Sequence, residues 1–361
     1  MNRPRVLIIQ DVLYSYRVPI LERVAREVDL EVACVSTDKA LDTSFPVTVL
    51  KTRPVGNALR MPGLKAFCDR FDVVVLQPHL SRPSVCFLPF RRNRSFIPVS
   101  WDIGVRVSYR RHYSLERPMS WDDRLYQRIM RRCAANIFYM PEPVDLWVGR
   151  GIPREKLFVA HNTVAIAQTP YSPEGRRDFL FIGKLYPEKR VDLLLDAFRD
   201  AYAGAGRPEM FPLLHIVGGG SEESVLMEKA RRDGIDRQVV FHHSIYDESL
   251  LAPLFQRSLL CISPHQAGLS VLKSFAYGTA FVTRRDAITG GEIFNIRDGE
   301  NGVLYDDDSA LAGILSDAVA HPEKYLEMGL AAHRFYASEA SPEAMAGGIL
   351  AAVRYAIDHP V

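Results

Sequence analysis

Residues 261–302 read CISPHQAGLSVLKSFAYGTAFVTRRDAITGGEIFNIRDGENG, and this stretch decides the fold. The apolar run Leu259, Leu260, Cys261, Ile262 is a buried strand that Pro264 ends. Gln266, Ala267 and Gly268 make a turn. Leu269, Val271, Leu272, Phe275 and Ala276 then recur at helical spacing. Gly278 stops that helix, and Ala280 to Thr283 is the next strand. Gly268, Leu269 and Ser270 therefore fall at a helix start just beyond the carboxyl end of a strand. Free backbone N–H groups and the helix dipole suit that position to a phosphate.

The same alternation extends outward in both directions. Phe179 to Gly183 is a strand, followed by Lys184, Lys189 and a periodic helix from Val191 to Tyr202. Leu213 to Val217 and Val239 to His242 are strands, with Gly218-Gly219-Gly220 after the first. Gly302 to Tyr305 is the last strand, and Pro342 to Ile357 reads as a terminal helix. Upstream, strands are expected at Val6–Gln10, Glu31–Val35, Val47–Leu50, Asp72–Leu76, Phe96–Ser100, Asn136–Tyr139 and Leu157–Ala160. A helix is expected from about Pro19 to Val28, with Pro19 in its first turn. Strands alternating with helices imply doubly wound parallel sheets, which bind ligands beyond the carboxyl ends of their strands. That rule gathers Asp11, His79 and Asp102 near one rim. The polar stretch from Gln168 to Arg177, with two prolines and a glycine, reads as a linker.

Two signatures carry a family resemblance. GLSVLKSFAYGTAFVT with the later GGE and GENG is similar to the donor-site signature of retaining glycosyltransferases of the GT-B fold. FLFIGKLYPEKRVDLLLDAF, residues 179–198, is similar to the family's second signature. Lys184 and Lys189 fall on its two basic positions, and Arg190 stands where the family has glycine. Tyr16-Arg17-Val18-Pro19 and Trp101-Asp102-Ile103-Gly104 resemble segments of a family 4-like branch that builds bacterial surface polysaccharides. The resemblance implies two Rossmann-like domains facing a central cleft. Residues 1–168 would bind acceptor and 169–340 the nucleotide-sugar donor. Residues 341–361 would form a helix crossing back to the first domain. One departure stands out. The family has two glutamates eight positions apart, one toward the donor sugar and one toward the ribose; here those positions hold His265 and Lys273.

Composition bounds the rest. With 361 residues the chain has length for two domains, and 47% hydrophobic content is ordinary for a globular protein. No apolar run reaches the ~20 residues of a membrane span, and the first apolar run is too short for a signal peptide. Five scattered cysteines form no Cys-x-x-Cys pair, so free thiols in a reducing, cytoplasmic setting are expected rather than disulfides or a zinc site. Residues 1–168 hold 26 Lys/Arg against 16 Asp/Glu, and the remainder 19 against 27. The basic half suggests an anionic partner; the acidic half argues against a nucleic-acid track. Eleven arginines lie between Arg91 and Arg132, with aromatics among them. An amphipathic helix from Asp122 to Cys133 would turn Leu125 and Ile129 inward and its arginines outward. This face suits the inner surface of an anionic membrane; a plain solvated face and RNA contact are the alternatives.

The resemblance then implies site residues. Lys184 and Lys189 would neutralise the departing diphosphate, and Gly183, Gly268, Leu269 and Ser270 would line it. His265, Lys273 and Glu292 would approach the sugar and ribose. Gly219 and Ile245, the latter in a loop resembling the family's base-holding segment, would lie near the nucleotide. Asp11, Tyr16, Arg17, His79 and Trp101 would meet the acceptor, with Asp102 contacting its hydroxyl. Each has a structural alternative: Asp102 as a loop cap, Glu292 as a helix-start acid, the residue 11–17 loop as an ordinary connection. No metal and no cofactor are expected, with a UDP-, GDP- or dTDP-sugar as substrate. Because the glutamate pair is missing, an inactive nucleotide-sugar-binding protein is the alternative to a transferase. Missing Gly-x-Gly-x-x-Gly after the first strand disfavours a nicotinamide dehydrogenase.

Overall fold

The computed structural model describes residues 3–105, 115, 118–166 and 171–361. Arg106, Arg110 and Arg111 of the basic segment and Gln168 of the linker lie outside these. The described chain divides into two units, one running to residue 165 and joined by Ser341–Val361, the other spanning Ile166–Ala340.

The first unit is built on seven strands: β1 (Arg5–Leu13), β2 (Asp29–Thr37), β3 (Val47–Val49), β4 (Val73–Leu76), β5 (Ile97–Asp102), β6 (Ala135–Phe138) and β7 (Leu157–Val159). Their order is β3-β2-β1-β4-β5-β6-β7, with every pair parallel. The chain runs outward from β1 to β3 and then returns to lay β4 on the other side of β1. The switch point therefore lies between the carboxyl ends of β1 and β4. Val6, Ile8, Val73, Val75, Val99 and Ile137 form one buried face, covered by the terminal helix Pro342–Asp358 through Met345, Ile349, Val353 and Ala356. That helix begins on a Ser341 cap and is apolar along its inner face, so the sheet supplies its stabilising burial.

The second unit has six parallel strands: β8 (Asp178–Ile182), β9 (Leu214–Val217), β10 (Val239–Phe241), β11 (Ser258–Ile262), β12 (Ala280–Arg284) and β13 (Gly302–Tyr305). The order β10-β9-β8-β11-β12-β13 places its switch point between β8 and β11. Phe179, Phe181, Leu214, Ile216, Leu260 and Ile262 fill one face. Arg176 staples together the amino ends of β8, β11 and β12. Its buried guanidinium donates to the carbonyls of Ser172, Phe255, Ser258 and Tyr277 and to Thr279 Oγ1.

Some local expectations need correction. The first helix is shorter than its pattern, Val18–Ala25, and the following residues enter β2 early. Trp101 and Asp102 belong to β5 rather than to the loop after it. Gln266 and Ala267 are not a free turn but a short strand pairing in parallel with Ile288–Thr289. A hairpin of Arg53–Val55 with Ala58–Arg60 left no clear alternation in the sequence.

Candidate active site

In the second unit the loops leaving β8 and β11 flank the switch point. Gly183 ends β8 at φ 156°, and Lys184 follows on an exposed turn with its ammonium 5.8 Å from the centroid of Tyr186. The glycine run after β9 supports this turn. A Cβ on Gly218 would lie 1.8 Å from Gly183 O, and one on Gly220 would lie 2.3 Å from Leu185 O. The N–H of Leu185 donates to Gly219 O at 3.0 Å, and Glu222 N–H donates to Leu185 O. Backbone packs on backbone here, which only glycine permits. The run therefore seats the lysine loop, and Gly219 is part of that seat.

Lys189 closes the short Pro187–Lys189 turn. Its ammonium lies 3.3 Å from where a Cβ of Gly183 would sit. Burial lowers its pKa from 10.5 to about 8, against the opposing pull of Cys261 and Glu292. Among the described residues neither Lys184 nor Lys189 makes an ion pair, whereas Lys273 and Lys229 both do. Next to it, Arg190 adopts φ 51°, the left-handed conformation that glycine takes at no steric cost, and its guanidinium turns onto Asp192 at 3.0 Å.

Beyond β11, Ser270–Ala276 forms the expected helix, and Gly278 ends it at φ 68°. Val271 N–H donates to Gly268 O and Lys273 N–H to Leu269 O. The N–H groups of Gly268, Leu269 and Ser270 lie ahead of those first bonds. The Ser270 hydroxyl is buried and has no hydrogen-bond partner among the described residues. The helix has only seven residues, so these N–H groups matter more than its dipole.

The two positions that depart from the family each carry a charge partner the sequence did not show. His265 Nε2 lies 3.1 Å from Asp308 Oδ1, and Arg284 reaches the same carboxylate at 3.3 Å. Lys273 Nζ donates to Glu248 Oε2 at 2.8 Å, while Tyr277 OH donates to the other oxygen of Glu248. A carboxylate thus stands beside the Ser270–Ala276 helix after all, supplied by the Glu248–Arg257 helix. Asp308 and Glu248 lie 43 and 25 residues from their partners. No local spacing signals such pairs. Glu292 is buried and accepts from Gly290 N–H at 3.0 Å and from the Thr289 hydroxyl at 3.3 Å. It shapes its own loop and also sets a negative charge near Lys189. Ile245 packs half-buried against the apolar cluster of this unit, two residues after His243, which pairs with Glu223.

In the first unit, Tyr16, Arg17 and Trp101 come together. Arg17 is 5% exposed, and its guanidinium stacks 5.2 Å from Tyr16, 5.2 Å from Tyr139 and 5.6 Å from Trp101. It donates to Asn162 Oδ1 and to the Met345 sulfur, both neutral. The Trp101 indole N–H is buried and without a partner among the described residues. Asp11 pairs with Arg82 at 2.8 Å, Arg82 also donates to the Ser81 hydroxyl at 2.9 Å, and the exposed His79 bonds that hydroxyl at 2.5 Å, so one chain of contacts links Asp11 to His79. Asp102 accepts from Gly104 N–H at 2.8 Å, so it caps the turn after β5. Gly104 takes φ 84° there, against Pro143, and Trp147 holds its carbonyl. Among the described residues no cluster of His, Cys, Asp and Glu suits a metal ion. All five cysteines are buried and none is in a disulfide, and burial pushes the Cys68, Cys133 and Cys261 thiols up to about 12.

Two parallel α/β units with cation-bearing loops at a switch point define the class: this is the GT-B fold. It matches solved structures over nearly its whole length. Anabaena HepE in complex with UDP gives a TM-score of 0.67 at 16% identity, covering 98% of this chain and 100% of that one. Sucrose-phosphate synthase of Thermosynechococcus elongatus gives 0.70 at 16%, covering 98% of each. Residues 176–321 match the family described as Glycosyl transferases group 1. The lipopolysaccharide 1,6-galactosyltransferase of Salmonella typhimurium (strain LT2) is 27% identical over 184 residues, 48% of this chain. The match spans about half of that curated relative, 47% of its length.

Proposed function

We propose that the protein transfers a sugar, with retention, from a nucleoside diphosphate sugar to a lipid-linked or polysaccharide acceptor in bacterial surface-glycan synthesis. O-antigen, capsule and exopolysaccharide are the product classes. The observation that carries this is the pair Lys184 and Lys189. Two ammonium groups without an ion pair, one of them half-buried, stand where an open parallel sheet binds its ligand. A diphosphate leaving group gains negative charge as the glycosidic bond breaks, and fixed cations and N–H donors stabilise that charge. Lys184, Lys189 and the N–H groups of Gly268 to Ser270 are the donors for it. UDP is the first nucleotide to test, since the similar HepE structure holds UDP. In the first unit the Arg17 cage with Tyr16 and Trp101 is the acceptor's contact, and Asp102 positions the turn beside it.

Peripheral contact with an anionic membrane belongs to the same proposal. The Trp121–Arg132 helix starts on a capping box in which Ser120 exchanges hydrogen bonds with Asp123, and both its acids are buried. Arg124, Arg128, Arg131 and Arg132 are left as its exposed charges, and Trp121 is 70% exposed. Exposed arginines with an interfacial tryptophan suit an anionic surface. Among the described residues no helix is long and apolar enough to cross a membrane.

A second reading keeps the binding and drops the transfer. It is favoured by His265 and Lys273, both already engaged by carboxylates, those of Asp308 and Glu248. Calorimetric titration of UDP, GDP, dTDP and CDP into wild type and Lys184→Ala tests the donor site. One diphosphate is expected to bind best, and the substitution to weaken it at least tenfold, about 1.4 kcal/mol. Equal binding by Lys184→Ala, or none by wild type, removes both readings. Tight binding with no turnover across sugars and acceptors selects the second.

A further inference from the structure

A second cationic site lies on the opposite edge of the first unit from its switch point. A pocket of about 430 Å³ opens where the chain enters the amino end of β5. Arg91, Arg92 and Arg94 line it from the loop before β5, and Arg132 lines it from the end of the Trp121–Arg132 helix. Phe90 and Phe96 supply its apolar wall. Asn93 and Val361, the last residue of the sequence, complete the lining, and no Asp or Glu side chain is in it among the described residues.

We propose that this pocket binds a phosphate group, as a monoester or a diester. Like charges gathered in one concavity repel one another, and an anion relieves that repulsion. Among the described residues none of the four arginines pairs with an Asp or Glu side chain, although many of the other arginines do. Arg94 is fixed in place: its terminal nitrogens donate to the main-chain oxygens of Pro89 and Arg91 at 3.2 and 3.4 Å and to an oxygen of Val361, the last residue of the sequence, at 3.0 Å. Its Nε–H is buried and has no partner among the described residues. The Arg132 guanidinium is positioned over the Phe90 ring at 6.0 Å. Planar guanidinium forks match the tetrahedral oxygens of a phosphate, which accepts from several at once. The array fills one pocket rather than a track, so it fits a single phosphate group and not a nucleic-acid strand. The inference deepens the membrane-contact part of the proposed function and rests on it for the source of the phosphate. A lipid headgroup and a soluble phosphate ester offer the same chemistry.

The test uses the full chain and two variants. One is Arg91→Gln/Arg92→Gln/Arg132→Gln, all exposed pocket residues. The control is Arg53→Gln/Arg60→Gln, exposed on the Arg53–Val55 and Ala58–Arg60 hairpin of the same unit and outside both the pocket and the Trp121–Arg132 helix. Binding is measured by sedimentation with phosphatidylcholine vesicles containing or lacking phosphatidylglycerol, and by calorimetry with inorganic phosphate and glycerol 3-phosphate. The pocket variant is expected to lose at least tenfold on the phosphatidylglycerol vesicles and the control under threefold. Competition by soluble phosphate assigns the pocket to free phosphate esters. Loss on vesicles without such competition assigns it to the lipid headgroup. Equal losses in the two variants mean a diffuse basic surface and overturn the proposal, as does no loss in the pocket variant or no binding by wild type. UDP titration of both variants separates a failure here from a failure of the donor site, because neither is expected to change it.

Discussion

Lys189→Met is expected to make the protein more stable and worse at holding a nucleoside diphosphate. The lysine pKa falls from 10.5 to about 8 because burial penalises the ammonium. A shift of that size corresponds to about 3 kcal/mol of burial cost, and residual solvent contact reduces it to about 1–2 kcal/mol. Methionine has a similar shape and carries no charge, so it keeps the packing and removes the cost. Each kcal/mol is worth about 2–4 °C in Tm for a unit of this size. The folded pKa is below the unfolded one, so the unfolded chain binds more protons between pH 8 and 10.5. Wild-type stability therefore rises with pH through that window, and the variant lacks this rise. Thermal or urea unfolding at a series of pH values should show the variant ahead at pH 7 and the gap closing from about pH 8 upward. The same ammonium must be charged to hold a diphosphate, so wild-type UDP affinity is expected to be flat below about pH 8 and to fall above it. The variant should bind at least tenfold more weakly at pH 7, about 1.4 kcal/mol. A variant less stable than wild type at pH 7, or a gap that ignores pH, would refute the burial argument.

Three further outcomes follow from the geometry. Gly218→Ala places a Cβ 1.8 Å from Gly183 O, so it should destabilise by about 2–3 kcal/mol in urea unfolding and weaken UDP binding by displacing the Lys184 turn. Arg190→Gly relieves a left-handed backbone at φ 51° and should stabilise by about 1 kcal/mol in thermal unfolding, less the exposed Asp192 pair. A double-mutant cycle of Lys273→Met and Glu248→Gln should give a coupling of about 0.5–1 kcal/mol in stability. Additive effects would mean that the 2.8 Å contact carries no energy.

The strands of both sheets were legible because their apolar runs are continuous and bounded by turn residues. So were the helix over Ser270–Ala276 and its glycine stop, since a repeat near 3.6 and a left-handed residue are local properties. Lys184 and Lys189 stood out by their place in a family-like signature just after a buried strand, and their role at a diphosphate is part of the proposal. The glycine run at 218–220 was visible as a pattern, but its purpose was not. It is set by the backbone of Gly183 and Leu185, which reaches it only because β8 and β9 are neighbours.

Sequence alone determined the alternation, the strand ends and so the rims where ligands bind. Tertiary structure decided the electrostatic surroundings of each site residue. It buried Lys189 and left Lys184 exposed, gave His265 and Lys273 the carboxylates of Asp308 and Glu248, and enclosed Arg17 among three aromatic rings with neutral partners. It also gathered Arg132 with Arg91, Arg92 and Arg94 into one pocket. Backbone conformation depends on the nearest few residues and is written where it acts. Electrostatic environment depends on which distant segments the sheet order brings within a few ångströms, and no short stretch of sequence contains that order.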